Sequence, residues 1–144
     1  MAGQQLRAYS LSHHVVTVNG RTMENFGEGD DVIKVALRDD QITDKKGADG
    51  NIMPEVSANE SAEVSLKFLY NAPENTYLEG LQKMFVEGFI HGVSVSIYDT
   101  RSGQGEVSTT GYIKRRADKS RGAKAADREW VIVVPKLAVT GIMR

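Results

Sequence analysis

One stretch of the chain repeats its apolar residues with a helical period, and almost everything else alternates or breaks. Between Asn71 and Gly88, Tyr77, Leu78, Leu81, Met84 and Phe85 fall on one side of a helix, with Glu79, Gln82, Lys83 and Glu87 on the other. The spacing predicts a helix over about 73–87. Asn71 or Asn75 can cap its start, Pro73 and Glu74 suit a first turn, and Gly88 can end it in the left-handed conformation. A lone amphipathic helix must bury its stripe, and only sheet is available to cover it.

The strand signals surround that helix. Leu11 to Val18 is rich in β-branched residues and runs into Asn19-Gly20, a strong two-residue hairpin signal, with Arg21 to Phe26 as the return strand. Val32 to Leu37 reads as a third strand. In Ala62 to Tyr70, Val64, Leu66 and Phe68 face one side and Ser65 and Lys67 the other. After the helix, Val93, Val95 and Ile97 alternate with Ser94, Ser96 and Tyr98, a turn follows over Asp99 to Gly103, and Glu106 to Lys114 returns. Glu129 to Val134 and Leu137 to Ile142 are the last strands, with Pro135 between them at an edge or strand end.

Two long polar segments interrupt the pattern. Residues 38–61 are too long for an ordinary connection, and Ile42, Ile52, Met53 and Val56 are too apolar for a disordered linker. A protruding hairpin turning near Gly47-Ala48-Asp49-Gly50, ordered by another subunit, is expected there. Residues 115–127 carry Arg116, Lys119, Arg121 and Lys124 among Ala, Gly and Ser, and are expected to be flexible in the isolated chain. The fold class expected is mainly β (α+β): one domain, an antiparallel β-sandwich or barrel with one flanking helix and long protruding loops.

Composition narrows the chemistry. The chain has 144 residues, 40% hydrophobic and 26% charged, which suits a globular domain with one core. With 0 cysteines there is no disulfide or thiolate chemistry, and no signal-peptide core or membrane-length apolar run is visible, so a reducing compartment is expected. The net charge of −1 hides two blocks. Residues 24–63 hold eleven acidic against four basic residues, and residues 101–128 hold eight basic against three acidic. Opposite blocks suit head-to-tail self-association, or else two solvated loops.

Catalytic and cofactor motifs are not found. Adjacent His13 and His14 would point to opposite faces of a strand, and His91 stands apart. A calcium-loop reading around Gly50 fails, because Lys45 and Gly47 occupy ligand positions and Val56 stands where a bidentate Glu is needed. Gly27-x-Gly29 and Gly103-x-Gly105 lack a dinucleotide setting and read as turn glycines, and no serine sits in a nucleophile elbow. Asn59-Glu60-Ser61 matches a glycosylation acceptor by letters only. The basic run from Lys114 to Lys124 can meet phosphates but lacks interleaved aromatics for stacking on bases. Trp130 heads an apolar strand and reads as a core or sheet-edge anchor rather than a ligand platform. No enzyme, metal or cofactor is expected.

Several short stretches, taken in order, resemble the tail tube proteins of contractile-tailed bacteriophages. They are Val16-Thr-Val-Asn-Gly20, Phe26-Gly-Glu-Gly-Asp-Asp31, Lys45-Lys-Gly-Ala-Asp-Gly50, Glu63-Val-Ser-Leu66, Asn75-Thr-Tyr-Leu78 and Arg128-Glu-Trp130. The resemblance implies a structural virion protein, a barrel-like subunit with a flanking helix that forms hexameric rings stacked into a hollow conduit for DNA delivery. It implies sheath, baseplate and tail terminator partners, and assembly in the host cytoplasm. On that reading Asp39, Asp40, Lys45, Lys46 and Asp49 make contacts in a neighbouring ring. Arg115, Arg116, Lys119, Arg121 and Lys124 offer a positive surface to an acidic neighbour or to the sheath. The alternatives are a monomeric β-barrel module binding nucleic acid through Lys114 to Lys124, and a secretion-system tube that carries effectors.

Overall fold

Ten strands and one α-helix make up the computed structural model, which describes residues 11–27, 29, 31–57, 60–123 and 125–140. A short 3₁₀ turn (Leu11–His13) leads into β1 (His14–Val18) and β2 (Arg21–Thr22), followed by β3 (Ile33–Leu37), β4 (Ile42–Lys46), β5 (Ile52–Val56) and β6 (Ala62–Phe68). Helix α1 (Pro73–Val86) separates these from β7 (Val93–Asp99), β8 (Gly105–Ile113), β9 (Arg128–Val134) and β10 (Ala138–Thr140). Paired neighbours run β2-β1-β7-β8-β9-β6-β3, with β10 also on β8, and β4 and β5 form a sheet of their own. The ladders are antiparallel throughout.

The path bends through β8, which pairs with β7 from Gly105 to Gly111, with β10 at its start and with β9 at its end. The inward residues of both halves meet in one core: Val16, Val18, Val93 and Val95 from one, and Val64, Leu66, Phe68, Trp130, Ile132 and Val134 from the other. Of the two architectures expected, the sandwich is found; the sheets do not close into a barrel.

β9 and β10 lie on one edge of β8 in a single register. Ile113↔Ile132 and Tyr112↔Val133 continue across the break into Val107↔Ala138 and Glu106↔Val139. Pro135 has no N–H to give the ladder, so the strand leaves β8 there, and Lys136 bridges Glu60 instead.

Local chemistry accounts for the turns. Asn19 and Gly20 both have positive φ, 51° and 88°, as a tight hairpin turn requires. The return strand ends at Thr22 rather than Phe26, which makes an isolated bridge to Phe68 and stacks on its ring at 5.1 Å. Gly105 is a strand residue, not the turn glycine expected, and a Cβ there would collide with the carbonyl oxygen of Ile97. His13 lies in the 3₁₀ turn, outside the strand assigned to it by sequence. The last strand ends at Thr140, and the expected continuation to Ile142 lies outside the described residues.

Helix α1 departs most from its sequence reading. Its N-cap is Ala72, with no side-chain cap bond, so neither Asn71 nor Asn75 caps it. Asn75 is buried instead. Its Nδ2 donates to the carbonyls of Leu69 (2.8 Å) and Tyr70 (3.1 Å), and its Oδ1 accepts the Trp130 indole N–H at 2.9 Å. Leu78 and Leu81 are buried, but Tyr77 and Phe85 are half-buried and Met84 is 38% exposed. Two buried leucines supply about 3–6 kcal/mol of burial free energy, well short of what a five-residue stripe would give. Beyond them the helix outruns the core, and Gly88 ends it with a φ of 82°.

Asn75→Ala would take their partner from the Tyr70 carbonyl and the buried Trp130 indole N–H, while the Leu69 carbonyl keeps the Ala72 N–H at 3.0 Å. A loss of about 3 kcal/mol is expected, read as a lower urea midpoint at unchanged m-value.

Candidate assembly surfaces

The β4–β5 hairpin stands off the body. Its strands pair with each other and with no other strand among the described residues, from Ile42↔Val56 at the base to Lys46↔Ile52 at the tip. All ten of its strand positions are exposed. At the tip, Gly50 has a φ of 87° and its N–H donates to the Gly47 carbonyl, while the Asp49 carboxylate accepts the Asn51 backbone N–H (3.1 Å) and Nδ2 (2.7 Å). At the base, Arg38 N–H donates to Ser61 (3.1 Å) and Ser57 N–H to Gln41 (2.7 Å).

The register sorts the hairpin side chains into two faces. Directly paired residues share a side and alternate along each strand, so Ile42, Asp44, Lys46, Ile52, Pro54 and Val56 lie on one face. Thr43, Lys45, Met53 and Glu55 lie on the other, where Lys45 and Glu55 form a 4.0 Å ion pair. Ile42, Ile52 and Val56 are 60%, 59% and 81% exposed. Isolated two-stranded hairpins are marginal in water, and the apolar face of this one is uncovered among the described residues.

The structure gathers Lys45, Lys46 and Asp49 on the hairpin and puts Asp39 and Asp40 at its base, all exposed. Asp49 is engaged in closing the turn. The basic set is more dispersed. Arg115 and Lys119 are exposed, Arg116 pairs with Glu79 of α1 at 3.5 Å, and Arg121 Nε donates to the Tyr70 hydroxyl at 2.9 Å. Lys124 lies outside the described residues. The segment expected to be flexible is thus fastened to the body by Arg116 and Arg121, and by Ala117, which is buried.

Arg128 was missed as a site residue. It is buried, stacks over the Trp130 ring at 5.2 Å and donates from Nη2 to the Ala117 carbonyl at 3.0 Å, while its Nε is unpartnered. Its position two residues before Trp130 puts both on the core face of β9, and that spacing was the available signal. At the other end of α1, Val86 and Phe89 are 70% and 75% exposed and form a second uncovered apolar patch.

The hydrogen bond from Arg121 holds the Tyr70 phenol below its ordinary range, with Lys119 and Arg128 adding to the effect and partial burial opposing it. The same bond raises Arg121. The Arg101 backbone N–H, with Ser102 and the nearby His14, holds Asp99 low at the β7–β8 turn. No group of three His, Cys, Asp or Glu able to hold a metal occurs among the described residues. No helix among them is long and apolar enough to cross a membrane.

A difference titration between the wild type and Tyr70→Phe should show Tyr70 ionising below its ordinary 10.0, and Arg121→Ala should move it back up. Since the folded value is the lower one, the added stabilisation of the ionised phenolate is fully present above the unfolded pKa and is lost as pH falls through the folded one, leaving the hydrogen bond to the neutral phenol. An Arg121→Ala titration that overlays the wild type would contradict the contact.

A family model described as Bacteriophage PhiTE tail tube protein matches residues 9–140. A search of curated proteins finds no match. Among solved structures, the fold is similar to a chain of the sheath-tube complex of an extracellular contractile injection system, PVC, in the extended state. That likeness has a TM-score of 0.67 at 12% identity, over 94% of this chain and 93% of the other. The anti-feeding prophage cap, an AFP tube terminating cap, gives 0.64 at 7% identity over 97% and 95%. The PVC sheath/tube terminator in the extended state gives 0.60 at 10% over 94% and 98%. At these identities the likeness is one of fold.

Proposed function

We propose a function from the premise that this chain belongs to the bacteriophage PhiTE tail tube protein family: it is the repeating subunit of a hollow tube. Six copies form a ring, rings stack along an axis, and DNA passes through the bore during delivery. The subunit acts as one domain, is assembled in the host cytoplasm and resides in the virion tail. Its work is structural rather than catalytic.

The observation that carries this reading is the hairpin, whose apolar face is exposed and whose strands, among the described residues, pair only with each other. A protruding element that fits a different surface on the next copy makes a heterologous contact, which closes into rings or runs on as a filament. The hairpin docks in a neighbouring ring with Asp39, Asp40, Lys45, Lys46 and Asp49 at the contact. Arg115, Arg116, Lys119, Arg121 and Lys124 present positive charge to an acidic neighbour or to the sheath. Strand edges support joining within the ring, since among the described residues β3 pairs only with β6, β2 only with β1 and β10 only with β8. Joining such edges also removes the exposed templates that invite aggregation.

Sheath, baseplate and terminator proteins are the partners this reading requires. The likeness to PVC and AFP proteins favours, as second reading, the tube of an injection machine that carries another cargo. The monomeric nucleic-acid module is less well supported, because Arg116 and Arg121 are engaged with Glu79 and Tyr70.

Replacing residues 42–56 by a short glycine turn between Gln41 and Ser57, which are already hydrogen-bonded at 2.7 Å, should leave a folded subunit that forms no tubes. Negative-stain microscopy checks this across a concentration series; normal tubes would sink the reading. In an assembled tube the bore should be neutral or negative, because each phosphate neutralised by Lys or Arg adds binding that would retain DNA. A reconstruction with a bore ringed by basic side chains would contradict that.

A further inference from the structure

The outward faces of the two sheet halves differ in charge. On the β3–β6–β9 half the outward positions include Lys34, Glu63, Lys67 and Glu129, with ion pairs Lys67–Glu129 and Arg38–Glu63 at 3.8 Å. On the other half, the registers align Thr22, Thr17, Ser96, Val107 and Ala138 in one row across five strands. Beside it lies the row Val15, Tyr98 and Gly105. None of these positions carries a charge, in a chain that is 26% charged. The charged residues of these strands, Arg21, Asp99 and Glu106, fall on the opposite parity, at the ends of the strands. Solvent-facing surfaces ordinarily mix charges of both signs. A sheet face without any can be covered at little desolvation cost.

The hairpin supplies a matching surface. On its apolar face the β5 row is Ile52, Pro54 and Val56, whereas Asp44 and Lys46 stand on the β4 side. Approach through the β5 side leaves both charges at the rim, beside Asp39, Asp40 and Asp49. The result has an apolar centre and a charged border, the usual anatomy of a protein interface. A flat ribbon packs face to face on a sheet at about 10 Å, and an uncharged receiving face buries no unpaired ion. The exposures on the hairpin show that none of the described residues covers it, and the occupant argued for here is another molecule.

Resting on the tube reading above, we propose that Ile52, Pro54 and Val56 of one copy pack on the uncharged β1–β7–β8 face, around Thr17, Ser96 and Val107, of a second copy. The two surfaces are different and belong to the same chain, so the contact repeats without closing on itself pairwise.

The chain has 0 cysteines, so introduced thiols are unique. Val56→Cys and Ser96→Cys subunits are prepared separately, mixed, assembled, and treated with a bismaleimide that reaches about 10 Å, the spacing of packed sheets. Cross-linked dimers are expected from the mixed tubes and from neither variant alone. Ile52→Cys with Thr17→Cys serves as a second pair. Intact tubes with no cross-link in either pair overturn the inference, as does Val56→Cys linking to Phe89→Cys instead. Ser96→Asp should abolish tubes while circular dichroism shows a folded subunit; normal tubes from it also overturn the inference. A wild type that never assembles, even with tail initiator present, overturns the tube reading itself and this inference with it.

Discussion

The carboxamide of Asn75 is the junction on which the rest of the structure depends. The chain leaves β6 with carbonyls at Leu69 and Tyr70 that have left the ladder, and buried backbone groups must find partners. Asn75 satisfies both from the first turn of α1 and accepts the Trp130 indole N–H with its remaining oxygen. One side chain thereby fixes the exit of β6, the seating of the helix and the rotamer of the largest core residue. Trp130 in turn carries the Arg128 guanidinium on its ring, and Arg128 holds the Ala117 carbonyl. The basic segment therefore rests on the same node as the helix, through contacts that bury a charge and would be costly to break singly.

The β ladder and the buried Trp130 were legible in the sequence because they rest on local period and size. Alternation in residues 62–68 and 93–97, Asn19-Gly20, and the helix over 73–86 all follow from nearest neighbours in the chain. Asn75 was misread as a cap because its partner Trp130 lies 55 positions away, and short-range rules offered its oxygen the wrong donor. Gly105 was misread for the same reason, since what forbids a side chain there is the carbonyl of Ile97 on the paired strand. The stripe on α1 was real, but its period does not say how far the underlying core extends, and Met84 lies beyond it.

The hairpin was visible as a candidate site because apolar residues recur in a run too long and polar for a simple turn. Which face it presents was not visible, since that depends on pairing Lys46 with Ile52, and a shift of one residue would exchange the faces. The basic cluster read as a free positive surface, yet Arg116 and Arg121 already hold Glu79 and Tyr70. Charge counts cannot separate a cation that waits for a partner from one that fastens its own loop. Exposed polar contacts of this kind are individually weak, so the apolar surfaces carry more of any assembly energy than the charge blocks suggest.

The way the hairpin is fastened bears on the timing of assembly. Ser57 to Gln41 and Arg38 to Ser61 tie its base, and beyond them the two strands have only each other. Such an element opens locally at little free-energy cost, so a free subunit samples many hairpin geometries. The first encounter between two subunits must order one hairpin against one surface, and coupled ordering of this kind consumes about 2–5 kcal/mol of the contact energy. In the proposed tube, a subunit arriving at a completed ring is met on several sides at once, and the same loss is shared over more contacts. On that proposal, growth on a template is fast where spontaneous initiation is slow, and a starting platform would decide where tubes begin.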